Sequence, residues 1–463
     1  MAMVAANLDD NAAAAARRAT VAGLREKLAR LGVLGGAASP EAAQRARDAV
    51  ARAYAAPAFP QQHGFDAHQT AAGTAWVRRA DVDLSPLLDN AGAATLGSAD
   101  GLLGLAHPPA AGHVTGMPGG AVAVLDIESL GLRGSGVVAF LVGVGLQRGT
   151  TLEVHQVLLA DPGAESALLC AVLDRLDGAA LLVTYNGRSF DVPTLRSRCI
   201  VNRLGDRGLE GRPHCDLLGP VRRLFRDRLG ACTLRQAEID LLGMERVDDV
   251  PGFEAPARYR AWLRGAGPPD VLDGVVRHNE LDLCATAVLG ARLLAHVGGE
   301  MVGPVHAADR YRLALHLERG GEVGRSERLL RDTMAARGDP WDRRAAHRLA
   351  HRLRRAGGAG EEEALQLWRS LWHSDPADLR AARALAIALE RRRRLDEAIA
   401  VCERTLRVCA AMPAWRHAAI RGAPSGGWHA DWTRRLHRLR TRHALHPNSG
   451  AAPAQIRLSV AIA

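Results

Sequence analysis

The sequence has few cysteines, few aromatic residues and almost no lysine. Its 7 cysteines form no Cys-x-x-Cys pair, which argues against a disulfide framework or a zinc finger and indicates a reducing compartment. No stretch approaches the roughly 20 continuous apolar residues of a membrane span, and the first residues lack the apolar core of a signal peptide. These absences predict a cytoplasmic protein that does not span a membrane.

The basic residues are almost all arginine and are unevenly placed. Lys27 is the single lysine among 60 basic residues, and the formal net charge is +10. Residues 301–463 contain 30 arginines against 17 acidic residues, whereas the first 300 residues contain 30 basic and 33 acidic residues. This asymmetry favours a polyanion partner. An arginine-rich, solvated helical surface explains it equally well.

The 463 residues are enough for two or three domains. We interpret residues 1–118 as an N-terminal accessory segment, in which short helical patterns are followed by an irregular Gly-, Ala- and Pro-rich stretch over 57–118. Within residues 119–298, three apolar strand patterns precede a helical pattern, another strand and further helices. This order predicts an α/β domain, a mixed sheet flanked by helices.

The segment 305–410 contains a helical repeat. Three copies align on Leu313, Leu349 and Leu385, and each offers a helix, a turn and a second helix. The pattern resembles tetratricopeptide repeats and predicts an all-α module that could bind a protein partner. Residues 411–463 complete the chain as a basic C-terminal tail.

Two carboxylates occur on the first strand pattern of the α/β domain. In "LDIES", Asp126 and Glu128 are two residues apart, so both side chains point to the same face of the strand. Carboxylates on an apolar strand are costly to bury unless they are paired or bind metal. Mg²⁺ and Mn²⁺ prefer such oxygen ligands.

Two later motifs supply further candidates. In "YNGRSFDVP", Asp191 follows a strand and a turn; in "HNELD", His278 and Asp282 lie on one helical face, about 6 Å apart along the axis. Each motif alone has an ordinary explanation, because Asp191 could cap a helix and His278–Asp282 could be an exposed pair. Asp216 is expected to cap a helix start, and Asp248 and Asp249 to be loop acids.

Together, in this order, "DIES", "YNGRSFDVP" and "HNELD" resemble the three motifs of the DEDD exonuclease superfamily, which has an RNase H-like fold. Residues 121–296 as a whole look similar to the YprB-type RNase H-like domain, which often precedes tetratricopeptide repeats. The resemblance implies that Asp126, Glu128, Asp191 and Asp282 bind two Mg²⁺ or Mn²⁺ ions, roughly 3.5–4 Å apart.

The resemblance also implies further roles. His278 would be the general base, and Asn186 would contact the substrate or brace the Asp191 loop. Arg196 could contact phosphate, although a solvated position is equally consistent. In the histidine-containing subclass, the spacing from histidine to the final aspartate is one residue longer than the four residues between His278 and Asp282. The base role is therefore an expectation separate from the metal-ligand roles.

The function implied is metal-dependent phosphodiester hydrolysis, as 3′→5′ exonuclease action on single-stranded DNA or RNA. Two alternatives stay open. The protein could be a catalytically weak or inactive nucleic-acid-binding scaffold whose repeats recruit partners. It could also be a structure-specific endonuclease, since the same metal site can serve either product pattern.

Overall fold

The computed structural model describes residues 59–91, 93, 96, 98–106, 121–131, 136–205, 208–299, 305–335, 340–412 and 427–445. The short helical patterns predicted before residue 57 lie outside these residues.

A seven-stranded mixed sheet forms the centre of the N-terminal part, with strand order β1-β2-β5-β4-β3-β6-β7. β3 pairs antiparallel with β4 and parallel with β6, and β6 pairs parallel with β7. The predicted mixed sheet is confirmed. The strands are β1 (Asp66–Thr70), β2 (Gly73–Asp83), β3 (Ala121–Leu130), β4 (Val138–Arg148), β5 (Thr151–Leu158), β6 (Ala179–Thr184) and β7 (His214–Asp216).

Helices cover both faces of this sheet. They are α1 (Ser85–Ala91), α2 (Ala99–Ala106), α3 (Glu165–Leu176), α4 (Asp191–Val201), α5 (Leu218–Leu229), α6 (Leu234–Ala237), α7 (Ala255–Leu263) and α8 (Asp273–Gly298). The order of strands and helices from β3 to α4 is the one that the sequence predicted.

The prediction of an irregular segment over residues 57–118 is wrong for two strands. β1 and β2 form an antiparallel hairpin, and β2 pairs with β5 from Trp76↔Leu158 to Asp83↔Thr151. Only Ala75 and Val77 of β2 are buried, so the strand carries a weak hydrophobic alternation. Its main support is the ladder with β5, a partner distant in sequence.

Helix α8 is the longest helix beside the sheet. It is long and apolar enough to cross a membrane by length and composition alone, but 67% of its most apolar window is buried within the fold. Val275 and Val276 pack into the core on one side of the sheet, and Leu283, Val288 and Leu293 pack into the core on the other. Its apolar composition is that of a core helix, and it places the "HNELD" motif against β3.

Three consecutive helix pairs follow and occupy the predicted repeat segment. Leu313, Leu349 and Leu385 lie in the first helix of each pair and are all buried. The helices are α9 (Ala307–Arg319), α10 (Val323–Ala335), α11 (Pro340–Ala356), α12 (Gly360–Ser374), α13 (Leu379–Arg391) and α14 (Leu395–Ala410). Their membership of the tetratricopeptide family stays a prediction.

Part of the predicted basic tail is helical. Residues Trp428–Leu445 form α15, which buries Trp432 and Leu439 in the same core as the last helix pairs. At the other end of the module, α9 packs against α5, and Leu313 and Leu317 join the core of the sheet domain.

Candidate active site

Strand β3 presents Asp126 and Glu128 to helix α8. The neighbouring Ile127 packs into the core on the opposite face. Burial raises the pKa of Asp126 well above its usual range, and the charges of Asp282, Asp191 and Glu128 raise it further, while a hydrogen bond from Asn279 opposes this. Burial also raises the pKa of Glu128 to about 8. Both carboxylates are therefore costly to ionise where they stand.

Helix α4 begins at Asp191, beside β3. The backbone N–H of Ile127 donates to Asp191 Oδ1 at 3.1 Å. Burial raises the pKa of Asp191 to about 7; hydrogen bonds from its own amide and that of Ile127 act to lower it, and the charges of Asp216 and Asp282 act to raise it. The first two motifs thus meet directly.

The third motif completes the cluster. The charge of Asp282 on α8 acts on Asp126, Glu128 and Asp191, and the charge of Asp191 acts on Asp126 and Glu128. Every pair among the four predicted metal ligands therefore lies close enough to repel. Four acids from three distant segments face one another, which is an arrangement that a divalent cation would stabilise.

Asn279, which is fully buried, orients Asp126. Its Nδ2 donates to Asp126 Oδ2 at 2.7 Å, and its Oδ1 accepts a hydrogen bond from Gln156 Nε2 at 2.9 Å. Gln156 Oε1 in turn accepts from Arg78 Nη1 at 2.8 Å. This buried chain of amides fixes which Asp126 oxygen remains available to a ligand.

A glycine on β4 allows α8 to approach the sheet. Gly143 pairs with Asp126 on one side and with Gln156 on the other. A Cβ atom at this position would lie 2.4 Å from Asn279 Oδ1 and 2.7 Å from Leu283 Cδ1. Only glycine therefore permits Asn279 to lie over the sheet and reach Asp126.

His278 lies at the edge of the cluster. Its Nε2 is 3.6 Å from Asp282 Oδ2 and 3.9 Å from Glu128 Oε1, and its Nδ1 is 2.9 Å from Asp249 Oδ1. Arg246 Nη1 also lies 3.3 Å from Nδ1. Because arginine can only donate, the two contacts require opposite proton positions, and the shorter contact with the carboxylate places the proton on Nδ1. Nε2 faces Asp282 and Glu128.

Asp249 was expected to be a simple loop acid, and it is instead the partner of His278. Burial acts to raise the pKa of Asp249, but the hydrogen bond with His278 and the charges of His278 and Arg246 hold it below its usual range. This ionised carboxylate can orient the imidazole as the aspartate does in a catalytic triad.

Arg246 balances the acids on the side away from β3. Its guanidinium is 4% exposed and pairs with Glu238, Asp249 and Asp282. Burial acts to lower the pKa of Arg246, but the charges of Asp282 and Glu238 raise it above its ordinary value. Glu238 is fully buried, so Arg246 supplies the cation that its carboxylate needs inside the fold.

Asp216 caps α5, as expected, and also holds the loop before Asp191. Its Oδ1 accepts hydrogen bonds from the amides of Leu218, at 3.1 Å, and Asn186, at 2.8 Å. Asn186 has φ of +67°, and its side chain accepts a hydrogen bond from Ser189. Asn186 therefore braces the turn that leads to Asp191, and a contact with substrate stays a prediction.

The guanidinium of Arg196 pairs with Glu210. This pairing favours a structural position, and the expected contact with phosphate is untested.

The four acids fit a divalent cation by their chemistry, since all supply oxygen ligands. Within the described part of the chain, no group of three or more His, Cys, Asp or Glu side chains is gathered as a ready metal site. In this arrangement Asn279 donates to Asp126, and Arg246 pairs with Asp282.

Sequence reasoning missed Asn279, Gln156, Asp249 and Arg246. Asn279 lies inside "HNELD", beside a residue that was singled out, but an asparagine within a helix carries no signal of its own. Gln156, Asp249 and Arg246 come from separate segments. Only the folded chain brings them to the motif residues.

Comparison with known proteins gives one family match. Residues 123–294 match the RNase H superfamily model. Over 210 residues the chain is 33% identical to the uncharacterized protein YprB of Bacillus subtilis (strain 168), covering 44% of this chain and 50% of that protein. The chain thus spans about half the length of this curated relative. The family B DNA polymerase of Pyrobaculum calidifontis matches at 18% identity and a TM-score of 0.31, over 48% of this chain and 29% of the polymerase.

Proposed function

Because residues 123–294 form an RNase H-like domain, we propose that the protein is a metal-dependent nuclease, a 3′→5′ exonuclease acting on single-stranded DNA or RNA. One observation carries this proposal. Asp126, Glu128, Asp191 and Asp282 come from three distant segments and meet at one place. The amide of Ile127, between Asp126 and Glu128, donates to Asp191 at 3.1 Å, and His278 Nε2 lies 3.9 Å from Glu128 and 3.6 Å from Asp282. A fold that needed only stability would not collect four acids beside one buried strand.

Asp126, Glu128, Asp191 and Asp282 would hold two Mg²⁺ or Mn²⁺ ions. Bound ions of this kind activate water and offset the charge that develops on a leaving oxygen. Asn279 keeps Asp126 oriented. The amide of Ile127 does the same for Asp191.

His278 would accept the proton of the attacking water at Nε2. Asp249 holds the proton on Nδ1 and stabilises the imidazolium that forms. Gly252 lies beside this nitrogen, since a Cβ added there would be 3.6 Å from Nε2.

We expect His278→Ala to lower kcat for cleavage at least ~10²-fold. Asp249→Asn should lower kcat less, because the imidazole loses the carboxylate that orients it. The measurement is kcat with a labelled oligonucleotide. His306→Ala, an exposed histidine at the start of α9, is the control. A loss of only a few-fold in His278→Ala would assign the base role elsewhere.

Metal binding should be visible in thermal stability without any turnover. The pKa of Glu128 is raised to about 8 and that of Asp191 to about 7. A carboxyl whose pKa is raised by folding stabilises the fold below its unfolded pKa, and that stability is lost as the pH rises through the folded pKa. We therefore expect the Tm in EDTA to fall between about pH 5 and about pH 8.

Mn²⁺ at about 2 mM should reverse this loss, raising Tm by about 3 °C or more at pH 8 and by less at pH 6, because protons compete with the metal. Asp282→Asn should remove most of the Mn²⁺ response, and the exposed Asp89→Asn should retain it. An equal Mn²⁺ response in wild type and Asp282→Asn would place the metal elsewhere.

The function is tested with end-labelled single-stranded DNA and RNA in Mn²⁺ or Mg²⁺. A ladder that shortens progressively from the 3′ end supports the proposal. Internal cuts on structured substrates would instead identify an endonuclease. Absence of cleavage by the wild-type protein would favour the alternative of a nucleic-acid-binding scaffold, for which the helix pairs from α9 to α14 offer a surface for a protein partner.

A further inference from the structure

A basic groove lies where the sheet domain meets the helix pairs. Helices α5 and α9 pack together there and enclose about 310 Å³. Five arginines, Arg222, Arg223, Arg226, Arg312 and Arg319, line it together with Gly219 and Leu315. We refer to this feature as the arginine groove.

The charge of the arginine groove is largely unbalanced. Arg312 pairs with Asp227, and Arg223 donates to the carbonyl of Leu105 at 2.8 Å. Arg222, Arg226 and Arg319 are exposed and form no ion pair with any residue in the described part of the chain.

The guanidinium groups are close enough to repel. Burial lowers the pKa of Arg223, and the charge of Arg319 lowers it further. Behind the groove, burial and the charges of Arg223 and Arg319 lower the pKa of His316 to about 4. Like charges gathered at this distance are destabilising unless a polyanion relieves them.

The arginine groove is connected to the candidate active site through α5. This helix starts two residues after Asp216, which holds the turn before Asp191 and whose charge acts on Asp191. The charge of Arg222, one turn into α5, acts on Tyr185 at the other side of the same turn. A strand leaving the acids past Asn186 would therefore meet the arginines of α5.

We propose that the arginine groove binds the phosphates of the nucleic acid strand outside the acidic cluster. This proposal rests on the proposed function and adds to it a second binding region. Guanidinium groups pair with phosphate oxygens in bidentate geometry. Among the described residues that line the groove, none is aromatic, so the bases have no aromatic side chain to stack on there. Contacts to phosphate dominate, and binding should depend little on sequence and strongly on salt.

A second arginine cluster between α13 and α15 differs in one respect. Glu390 pairs with Arg435, Arg438 and Arg442 there. These pairs tie α15 to α13, so that cluster has a role in packing. The arginine groove has no comparable central acid.

The test is binding of a fluorescein-labelled 30-nucleotide oligothymidylate, and of oligouridylate, to the full chain in EDTA, where no metal-dependent cleavage occurs. Arg222→Ala, Arg226→Ala and Arg319→Ala are combined in one variant. At ~0.1 M salt the variant should bind about tenfold more weakly or worse, and the slope of log K against log salt should decrease by about 2, near 0.7 for each lost contact.

The control variant combines Arg355→Ala, Arg380→Ala and Arg407→Ala, which removes the same charge from exposed positions on α11, α13 and α14. It should bind within about twofold of wild type. Equal losses of affinity in both variants, or no loss of affinity in the groove variant, would overturn the proposal that the groove binds the strand. If only polyglutamate binding depends on the groove, an acidic protein is the occupant and the proposal is likewise overturned.

The groove and the nuclease activity can fail separately. Groove-dependent binding with no cleavage by wild type would support the groove and contradict the nuclease. Cleavage by the wild-type protein, together with unchanged binding by the groove variant, would support the nuclease and contradict the groove. Failure of the wild-type protein to bind either oligonucleotide in EDTA would overturn the groove proposal, and cleavage in Mn²⁺ or Mg²⁺ would still decide the nuclease proposal.

Discussion

Asp126→Asn and Asp282→Asn should each reduce cleavage at least ~10³-fold, because each removes a carboxylate that we propose as a metal ligand, and a bound metal would supply several kcal/mol of charge stabilisation in the transition state. Asp126→Asn should also raise the Tm of the metal-free protein. Burial and the charges of Asp282, Asp191 and Glu128 raise the pKa of Asp126 well above its usual range, so a neutral amide removes an unfavourable charge. Loss of activity together with increased stability distinguishes a functional acid from a structural one.

The measurement pairs single-turnover cleavage in Mn²⁺ with thermal unfolding in EDTA. Asp89→Asn, an exposed aspartate on α1, is the matched control and should change neither. Wild-type activity in both active-site variants would refute the site. A large fall in Tm would show that the carboxylates hold the fold together.

Arg246→Leu should lower the free energy of unfolding by ~3–5 kcal/mol, because it removes the closer cation from the buried Glu238 carboxylate and leaves only Arg235, at 3.7 Å. For a domain of this size, that loss corresponds to a fall of about 6 °C or more in Tm. The fall should be smaller at low pH, since burial already raises the pKa of Glu238 and protonation removes the unpaired charge.

A double variant tests this cause. Arg246→Leu with Glu238→Gln removes the arginine and the charge it balances, so part of the lost stability should return. Calorimetry at about pH 8 and about pH 5 gives both comparisons. A single-variant Tm within 1–2 °C of wild type would mean that Arg235 or water compensates Glu238, and an unrecovered double variant would mean that Arg246 acts mainly through Asp249 and Asp282.

The sequence was sufficient for the order of elements and for the residues that carry the motifs. An apolar strand interrupted by Asp126 and Glu128 conflicts with the cost of burying charge, and this local conflict can be seen without coordinates. The same reasoning placed Asp191 at a helix start and His278 and Asp282 on one helical face. The hydrophobic periods also indicated the three helix pairs from α9 to α14.

Long-range packing decided the rest. β2 joins the sheet by pairing with β5, and β1 joins it by pairing with β2. The weak hydrophobic alternation of β2 does not indicate the pairing with β5. Asn279 reaches Asp126 because Gly143 lets α8 approach β4. The roles of Asp249 and Arg246 can be recognised only from their contacts with His278 and Glu238 in the folded chain.

The arginine groove also depends partly on sequence and partly on tertiary packing. The sequence reveals an excess of arginine after residue 300, but composition does not distinguish paired from unpaired guanidinium groups. α5 belongs to the part of the chain with a slight acidic excess, and it contributes Arg222, Arg223 and Arg226. Residue types and their periods are local properties that a sequence determines directly. Which charges are left without partners depends on contacts between distant segments, and only the tertiary structure sets those contacts.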